Sequence, residues 1–399
     1  MIIKFVSATI LSIVLFIPFC CLGEEADEFR QAELYNKKKE YTNAELIYKL
    51  IVTNNPGTKS AFTAQKELVI VNILMGNDSE AEMALGKLKN DFMDDSNLPE
   101  ALELIAKRYR WEKRFTESKR LYQEIIQNYP NTSPGDRSRL EILRVDIFSA
   151  LESGDYAVAQ TIVDSLLTNF PAHPHLPLIL YETARRYESL DKFNEGKRIY
   201  QQIVDKYPGT TDAVRAMIEI NKTDAIIYMQ SGNHTAAQTE IDKIIVNYPN
   251  HWSTPWVLHR LAKEYIGRAD QLEINDTNEQ AKIYLQEAID ISEKIVNNLP
   301  QSSATPNAHS SIGDIYRRLG EYQKSLIYYQ KIVDEYPNFD QAWNVLFMIG
   351  RNYNNLKEKG IISAEEANEK THAVYALLLN KYPDCKAAAS AKEWIEHHK

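Results

Sequence analysis

Two histidines flanking a proline, His173 and His175, are the residues of this chain whose spacing best suits metal ligation. Two imidazoles this close can turn nitrogens toward one Zn²⁺, but Pro171 and Pro177 bracket the triplet. That setting favours a turn cap over a metal site. His397 and His398 read as solvated residues near the end. Cys385 follows a helix end and reads as a small buried residue rather than a reactive thiol. The sequence contains no phosphate-cradling glycine loop, Gly-x-Ser-x-Gly elbow, His-Glu-x-x-His or Cys-x-x-Cys pair. No catalytic residue, cofactor or metal site is therefore assigned, and no enzyme activity is expected. Asn-x-Ser/Thr triplets at Asn77, Asn131, Asn221, Asn233 and Asn275 accept glycans only in a glycosylating host.

The first residues carry an address rather than chemistry. Lys4 and the apolar run from Phe5 to Leu22 make the charged start and core of an export signal, and Cys21 and Gly23 are the small residues before Glu24. Residues 1–23 are read as a signal peptide cleaved after Gly23. One alternative is an uncleaved anchor, since a run of 18 residues is near the lower limit for spanning. Another is lipidation at Cys20 or Cys21, although Ile17-Pro18-Phe19 lacks the small residue usual before a lipidated cysteine. The chain holds 46 basic and 55 acidic residues. Cleavage removes only Lys4 from that balance, leaving 45 against 55, or −10. Such a charge gives no pull toward nucleic acid. With Cys385 alone remaining, no internal disulfide is possible.

The strongest pattern in the chain is punctuation. Thirteen-residue blocks end in an aromatic and a proline, as in SKRLYQEIIQNYP at 118–130 and SLIYYQKIVDEYP at 325–337. Nine terminators fall at Pro56, Met93, Pro130, Pro171, Pro208, Pro249, Pro300, Pro337 and Pro383, 37 to 51 residues apart. Such a period predicts stacked helix pairs. Twelve residues before the terminators stand Ala44, Ala81, Ser118, Ala159, Gly196, Ala237, Ala288, Ser325 and Thr371. These side chains are small enough for two helices to touch. Five before it, always Ile or Leu, run Ile51 to Leu378. The two columns lie seven apart, hence on one helix face, and the proline ends that helix. The first helix of each pair has its own small column, including Ala106, Gly313 and Gly350, with a tyrosine three residues later.

Segment 306–337 resembles a tetratricopeptide repeat at Gly313, Tyr316, Gly320, Tyr322, Ser325, Tyr329 and Pro337. The resemblance extends over about 25–383, with one departure: the Ile or Leu column is usually Ala in that family. The Tyr-x-x-Ile-x-x-x-Tyr-Pro variant is similar to bacterial envelope members, among them the lipoprotein subunit of the outer-membrane β-barrel assembly machinery and the periplasmic coordinator of the Tol–Pal system. The resemblance implies an all-α, right-handed superhelical solenoid of about nine helix pairs with a concave groove. Residues 24–399 are expected to form a single array. The pair at about 255–300 should be lengthened by two turns per helix, with a tip near 267–280, and a capping helix should cover about 387–398.

In that family the groove-facing residues lie 27, 23 and 20 before the terminator. With the frame shifted in the two long units, nine of the 27 positions are basic, where 46 in 399 would give about three. They are Lys66, Lys107, Arg110, Arg144, Arg185, Lys222, Lys263, Arg317 and Arg351. Four are acidic: Glu33, Glu103, Glu188 and Asp314. One reading is a solvated or salt-bridged face, the other a groove for an acidic peptide or an anionic envelope polymer. The expected function is a non-enzymatic interaction scaffold or assembly adaptor, exported to the periplasm or outer membrane, with secretion as the alternative location. Its partner is a protein or peptide, not nucleic acid, and membrane association follows only from lipidation or an uncleaved N-terminus. The rival function is an envelope polymer- or carbohydrate-binding module, to which Trp252 and Trp256 would contribute. N-terminal sequencing of protein recovered from its native host should begin at Glu24; an intact Met1 or a lipid on Cys21 would refute the soluble form.

Overall fold

The computed structural model describes residues 24–274 and 278–398. Residues 1–23, read above as a signal peptide, with Cys20 and Cys21, and Asn275, lie outside the described residues. Among those described there are nineteen α-helices and no strand. Two compact units divide the chain between Arg186 and Tyr187.

The first unit holds α1 (Glu24–Lys37), α2 (Tyr41–Asn54), α3 (Lys59–Met75), α4 (Asp78–Asp91), α5 (Leu98–Trp111), α6 (Phe115–Asn128), α7 (Ser133–Glu152), α8 (Tyr156–Asn169) and most of α9 (Leu176–Glu188). Here α1–α2, α3–α4, α5–α6 and α7–α8 pack as antiparallel pairs, and α3, α5 and α7 also touch in sequence as a layer of first helices. The second unit begins in the last turn of α9. It continues with α10 (Phe193–Lys206), α11 (Thr211–Gln230), α12 (His234–Asn247), α13 (Thr254–Ile274), α14 (Asn278–Asn298), α15 (Thr305–Arg318), α16 (Tyr322–Glu335), α17 (Ala342–Glu358), α18 (Ala364–Lys381) and α19 (Ala388–His397). There α11, α13 and α15 form the corresponding layer. The architecture is an all-α repeat solenoid, built within each unit from successive helix pairs and, in the second, ending in α19.

The two spacing columns become the core. All nine Ile or Leu residues five before a terminator are fully buried, as are the small residues twelve before it, from Ala44 to Thr371. A third buried column, eight before the terminator, carries Tyr48, Tyr122, Tyr200, Tyr329 and Tyr375. These rings lie against the small residues of the first helices: a Cβ added at Gly313 would stand 2.5 Å from Tyr329, and one at Gly350 would stand 2.3 Å from Tyr375. Hydroxyls in the small column close the same contact. Ser118 Oγ donates to the Ala106 carbonyl at 2.8 Å, and Ser325 Oγ to that of Gly313 at 2.7 Å. The tyrosines three after the small residue are less uniform: Tyr109, Tyr187 and Tyr265 are buried, whereas Tyr228 is 37% exposed.

Turns follow from the same punctuation. The second helix stops at the residue before the aromatic, which becomes its C-cap: the Tyr129 N–H donates to the Ile125 carbonyl at 2.9 Å. The residue before a proline is disfavoured in helical backbone, and Tyr129, at φ −131° and ψ 47°, has left it. Thr132 then donates its hydroxyl to the Tyr129 carbonyl at 2.7 Å and accepts the Gly135 N–H at 3.1 Å, capping α7. Thr210 repeats both bonds at the start of α11. α13 and α14 have 21 residues each, against 14 in the usual second helix.

Bulk in the small columns should be costly. Ala159→Leu and Gly313→Ala are each expected to lose about 1–3 kcal/mol by overpacking, while Ala157→Leu, at an exposed site of the same helix as Ala159, stays within about 0.5 kcal/mol. Urea titration of the three variants checks the assignment; equal midpoints for Ala159→Leu and Ala157→Leu would show the wrong face was chosen.

Candidate functional site

The first helices carry carboxylates where a solvated face would not put them. Glu103 on α5 and Glu141 on α7 are buried, Glu141 completely. Burial of an unpaired carboxylate is prohibitive, so each must find cations and donors. Glu103 meets Lys107 one turn on at 2.7 Å and Arg137 of α7 at 3.0 Å. Glu141 accepts from Arg144 at 2.6 Å, faces His175 Nε2 at 2.8 Å, and lies 3.4 Å from the Tyr122 hydroxyl. Arg144 uses its other Nη to reach Glu182 of α9 at 2.7 Å. Beside it the buried Arg110 stands 3.8 Å from Glu182 and lies over the Phe148 ring at 5.1 Å.

Burial alone would raise the Glu141 pKa. The His175 hydrogen bond and the charges of Arg144 and Arg110 outweigh it and hold the group at about 2. Glu103 is likewise held low, against its burial, by Arg137 and Lys107. Arg110 is pushed down by burial and by the neighbouring Arg144. His173 Nε2 faces Asp136 at 2.9 Å, so both histidines of the His-Pro-His triplet tie the start of α9 to α7.

The second unit builds the same device from different residues. Glu188 pairs with Lys222 of α11 at 2.6 Å and accepts from the Thr223 hydroxyl. Glu219 pairs with Lys222 at 2.8 Å and with Arg260 of α13 at 2.5 Å. Further along, burial lowers His259 and His309 to about 4 each, helped by Lys263 and Lys331 respectively.

One part of the predicted ladder borders an open cleft. Between α1, α3 and α5 lies a space of about 590 Å³ with Lys66 and Lys107 on its wall, together with Glu33 and Glu67. Leu74, Leu104 and Trp111 supply apolar surface, and Trp111 is 61% exposed. Lys37 and Arg108 add two cations that the repeat frame did not select. Arg108 lies over the Trp111 ring at 5.2 Å.

Family models described as the tetratricopeptide repeat match residues 100–132 and 179–210, and another matches 306–339. These segments are tetratricopeptide repeats. The solved structures similar to the chain include the C-terminal part of a tetratricopeptide repeat-containing protein from Cytophaga hutchinsonii, at 15% identity over 72% of this chain and 98% of that one, TM-score 0.39. A tetratricopeptide repeat protein from Parabacteroides merdae matches at 17% identity over 72% and 98%, TM-score 0.32. PilW, a type IV pilus biogenesis factor, matches at 13% identity over 60% and 100%, TM-score 0.33. No curated protein shows significant sequence similarity to the chain.

The nine basic residues of the ladder fall into three kinds. Arg110, Arg144 and Lys222 are buried; Lys66, Lys107 and Arg317 are half-buried; Arg185, Lys263 and Arg351 are exposed. Of the two readings of the ladder, Arg144 and Lys222 follow the salt-bridged one: both pair with buried carboxylates. The signal that could have found this is the separation of the pairs. Glu103 to Arg137, Glu141 to His175 and Glu188 to Lys222 are each 34 residues, a few short of the 37 to 41 between terminators there, so each joins one first helix to the next or to the turn that enters it.

Removing Arg144 leaves Glu141 and Glu182 short of a cation. Arg144→Ser should therefore cost about 3–5 kcal/mol, whereas Arg185→Ser stays within about 0.5 kcal/mol, as read by urea titration at neutral pH. Acid should act in two windows. His259 and His309 fold neutral with pKa values lowered from 6.5 to about 4, so their contribution is complete above pH 6.5 and is lost as pH falls toward 4. Glu141, lowered from 4.5 to about 2, contributes fully above pH 4.5 and loses that contribution toward pH 2. The paired variant His259→Gln, His309→Gln should flatten the upper window, and an unchanged pH profile would contradict the assignment.

Proposed function

We propose that the chain is an exported, non-enzymatic scaffold that holds a partner protein, and that the cleft between α1, α3 and α5 receives an acidic segment of that partner. One observation carries the reading. The cleft combines exposed apolar surface at Leu104 and Trp111 with four cations on its wall, Lys37, Lys66, Lys107 and Arg108, the last three also paired with Glu67, Glu103 and Glu112. An exposed indole beside cations is the composition of an interface centre. A segment carrying Asp or Glu next to a large apolar side chain would satisfy both halves at once. Long-range attraction by the cations would speed its capture.

The leader read in residues 1–23 directs this scaffold to the periplasm or the outer membrane, and assembly of envelope components is the setting that agrees with both features. Within that setting the repeats present a partner rather than transform it. In-cell crosslinking followed by mass spectrometry identifies what is held. The variant Lys66→Ser, Arg108→Ser, Trp111→Ala should lose capture of the major crosslinked protein by tenfold or more, and its melting curve should overlay the parent's. Capture should also fall with salt, since the Debye length shrinks from about 10 Å at 0.1 M to about 3 Å at 1 M. Undiminished capture by this folded variant would move the binding face elsewhere.

A further inference from the structure

A second open cleft, of about 580 Å³, lies in the second unit and has the opposite chemistry. It is bounded by the first turn of α13, the connector and first turn leading into α15, and the turn between α16 and α17. Its size falls within the roughly 300–1,000 Å³ of small-ligand sites. Trp256 stands on its wall and is 39% exposed. That indole is held in place: its Nε1–H donates to Ser303 Oγ at 3.2 Å, and its ring meets His259 edge-on at 6.1 Å. A fixed aromatic face left open to solvent presents apolar area that the fold does not use. Around it stand Asn307 and Asn338, which both donate and accept, and Glu335 and Asp340, which only accept when ionised. No lysine or arginine lines the cleft.

From this set we propose that the cleft is a binding site for a neutral saccharide. One face of a pyranose ring presents C–H groups that lie flat on an indole, while its rim presents hydroxyls that must donate as well as accept. The two amides and two carboxylates supply partners for both, and hydroxyl-to-carboxylate bonds are among the stronger kinds. Glu335 and Asp340, unrelieved by any lining cation, repel uronic acids, phosphates and the anionic segment assigned to the cleft of the first unit. The two clefts therefore select different ligands, and this site stands whether or not the peptide reading holds. A cationic side chain would also suit an indole beside carboxylates, but it leaves the donors of Asn307 and Asn338 without acceptors.

Tryptophan fluorescence and titration calorimetry with cellotriose, maltotriose and tri-N-acetylchitotriose test the site on the full exported chain. At least one of these neutral trisaccharides should bind at submillimolar to millimolar concentration. Trp256→Ala should weaken it tenfold or more, and Trp256→Tyr should retain most of it. Trp252→Ala, outside the cleft and beneath Arg215, should leave it unchanged. Affinity should be the same at 0.1 M and 1 M salt. Absence of binding by all three sugars to folded protein would overturn the proposal. So would binding of a trilysine peptide, but of no sugar, that is lost with Glu335→Gln, Asp340→Asn or added salt, which would mark a cation site instead.

Discussion

The repeats depend on one close approach, a small residue of the first helix against a small residue of the second. Ser118 over Ala106, Ser325 over Gly313 and Thr371 over Gly350 put backbone nearly on backbone, and the hydroxyl of the second helix donates to the carbonyl of the first. A helix carbonyl already accepts within its helix, and its second lone pair is what the hydroxyl uses. The approach also sets where the large residues go. With no side chain between the helices at that level, the tyrosine one turn on has room to lie flat against the first helix, and the Ile or Leu a further turn on fills the space beneath. Dispersion across such contacts is small per atom pair and large in sum. The three columns are thus one requirement rather than three.

Charge in this chain does two jobs that composition cannot separate. Arg144 and Lys222 hold the buried Glu141 and Glu219 within their own helices and reach Glu182 and Glu188 of α9, while Lys66 and Lys107, paired with Glu67 and Glu103, also border an open cleft. Buried pairs of this kind give little net stability against an apolar replacement, but they penalise any register that leaves a carboxylate unmatched. Glu141 shows how far that specification goes: Arg110, Arg144 and His175 bear on it, from α5, α7 and the turn entering α9. The surface left for partners is correspondingly less basic than a count along the first helices suggests.

The fold was legible because proline, small residues and branched apolar residues act locally, over one or two helical turns. All nine Ile or Leu positions and their small partners are buried as the spacing requires. The candidate site was legible only in part. A helical frame identifies which face a residue occupies, but whether Arg144 meets solvent or Glu182 depends on the rotation of the next first helix, 38 residues away. The open Tyr228 belongs to the same class of error, since its column predicts burial without knowing what packs over it. Trp111 and Arg108 escaped notice because they fall one position outside the frame, near the end of α5. The cleft at Trp256 is assembled from three turns, which no periodicity describes.

The 34-residue separation shared by three of the buried ties has a consequence for descent. Glu103 with Arg137, Glu141 with His175 and Glu188 with Lys222 each reach from one first helix across the intervening second helix to the next first helix or the turn that enters it. A helix turns by about 100° per residue, so a few residues gained or lost within a helix between the two partners swing one away from the other. Genes encoding arrays of this kind can change length freely only where no such tie spans the change.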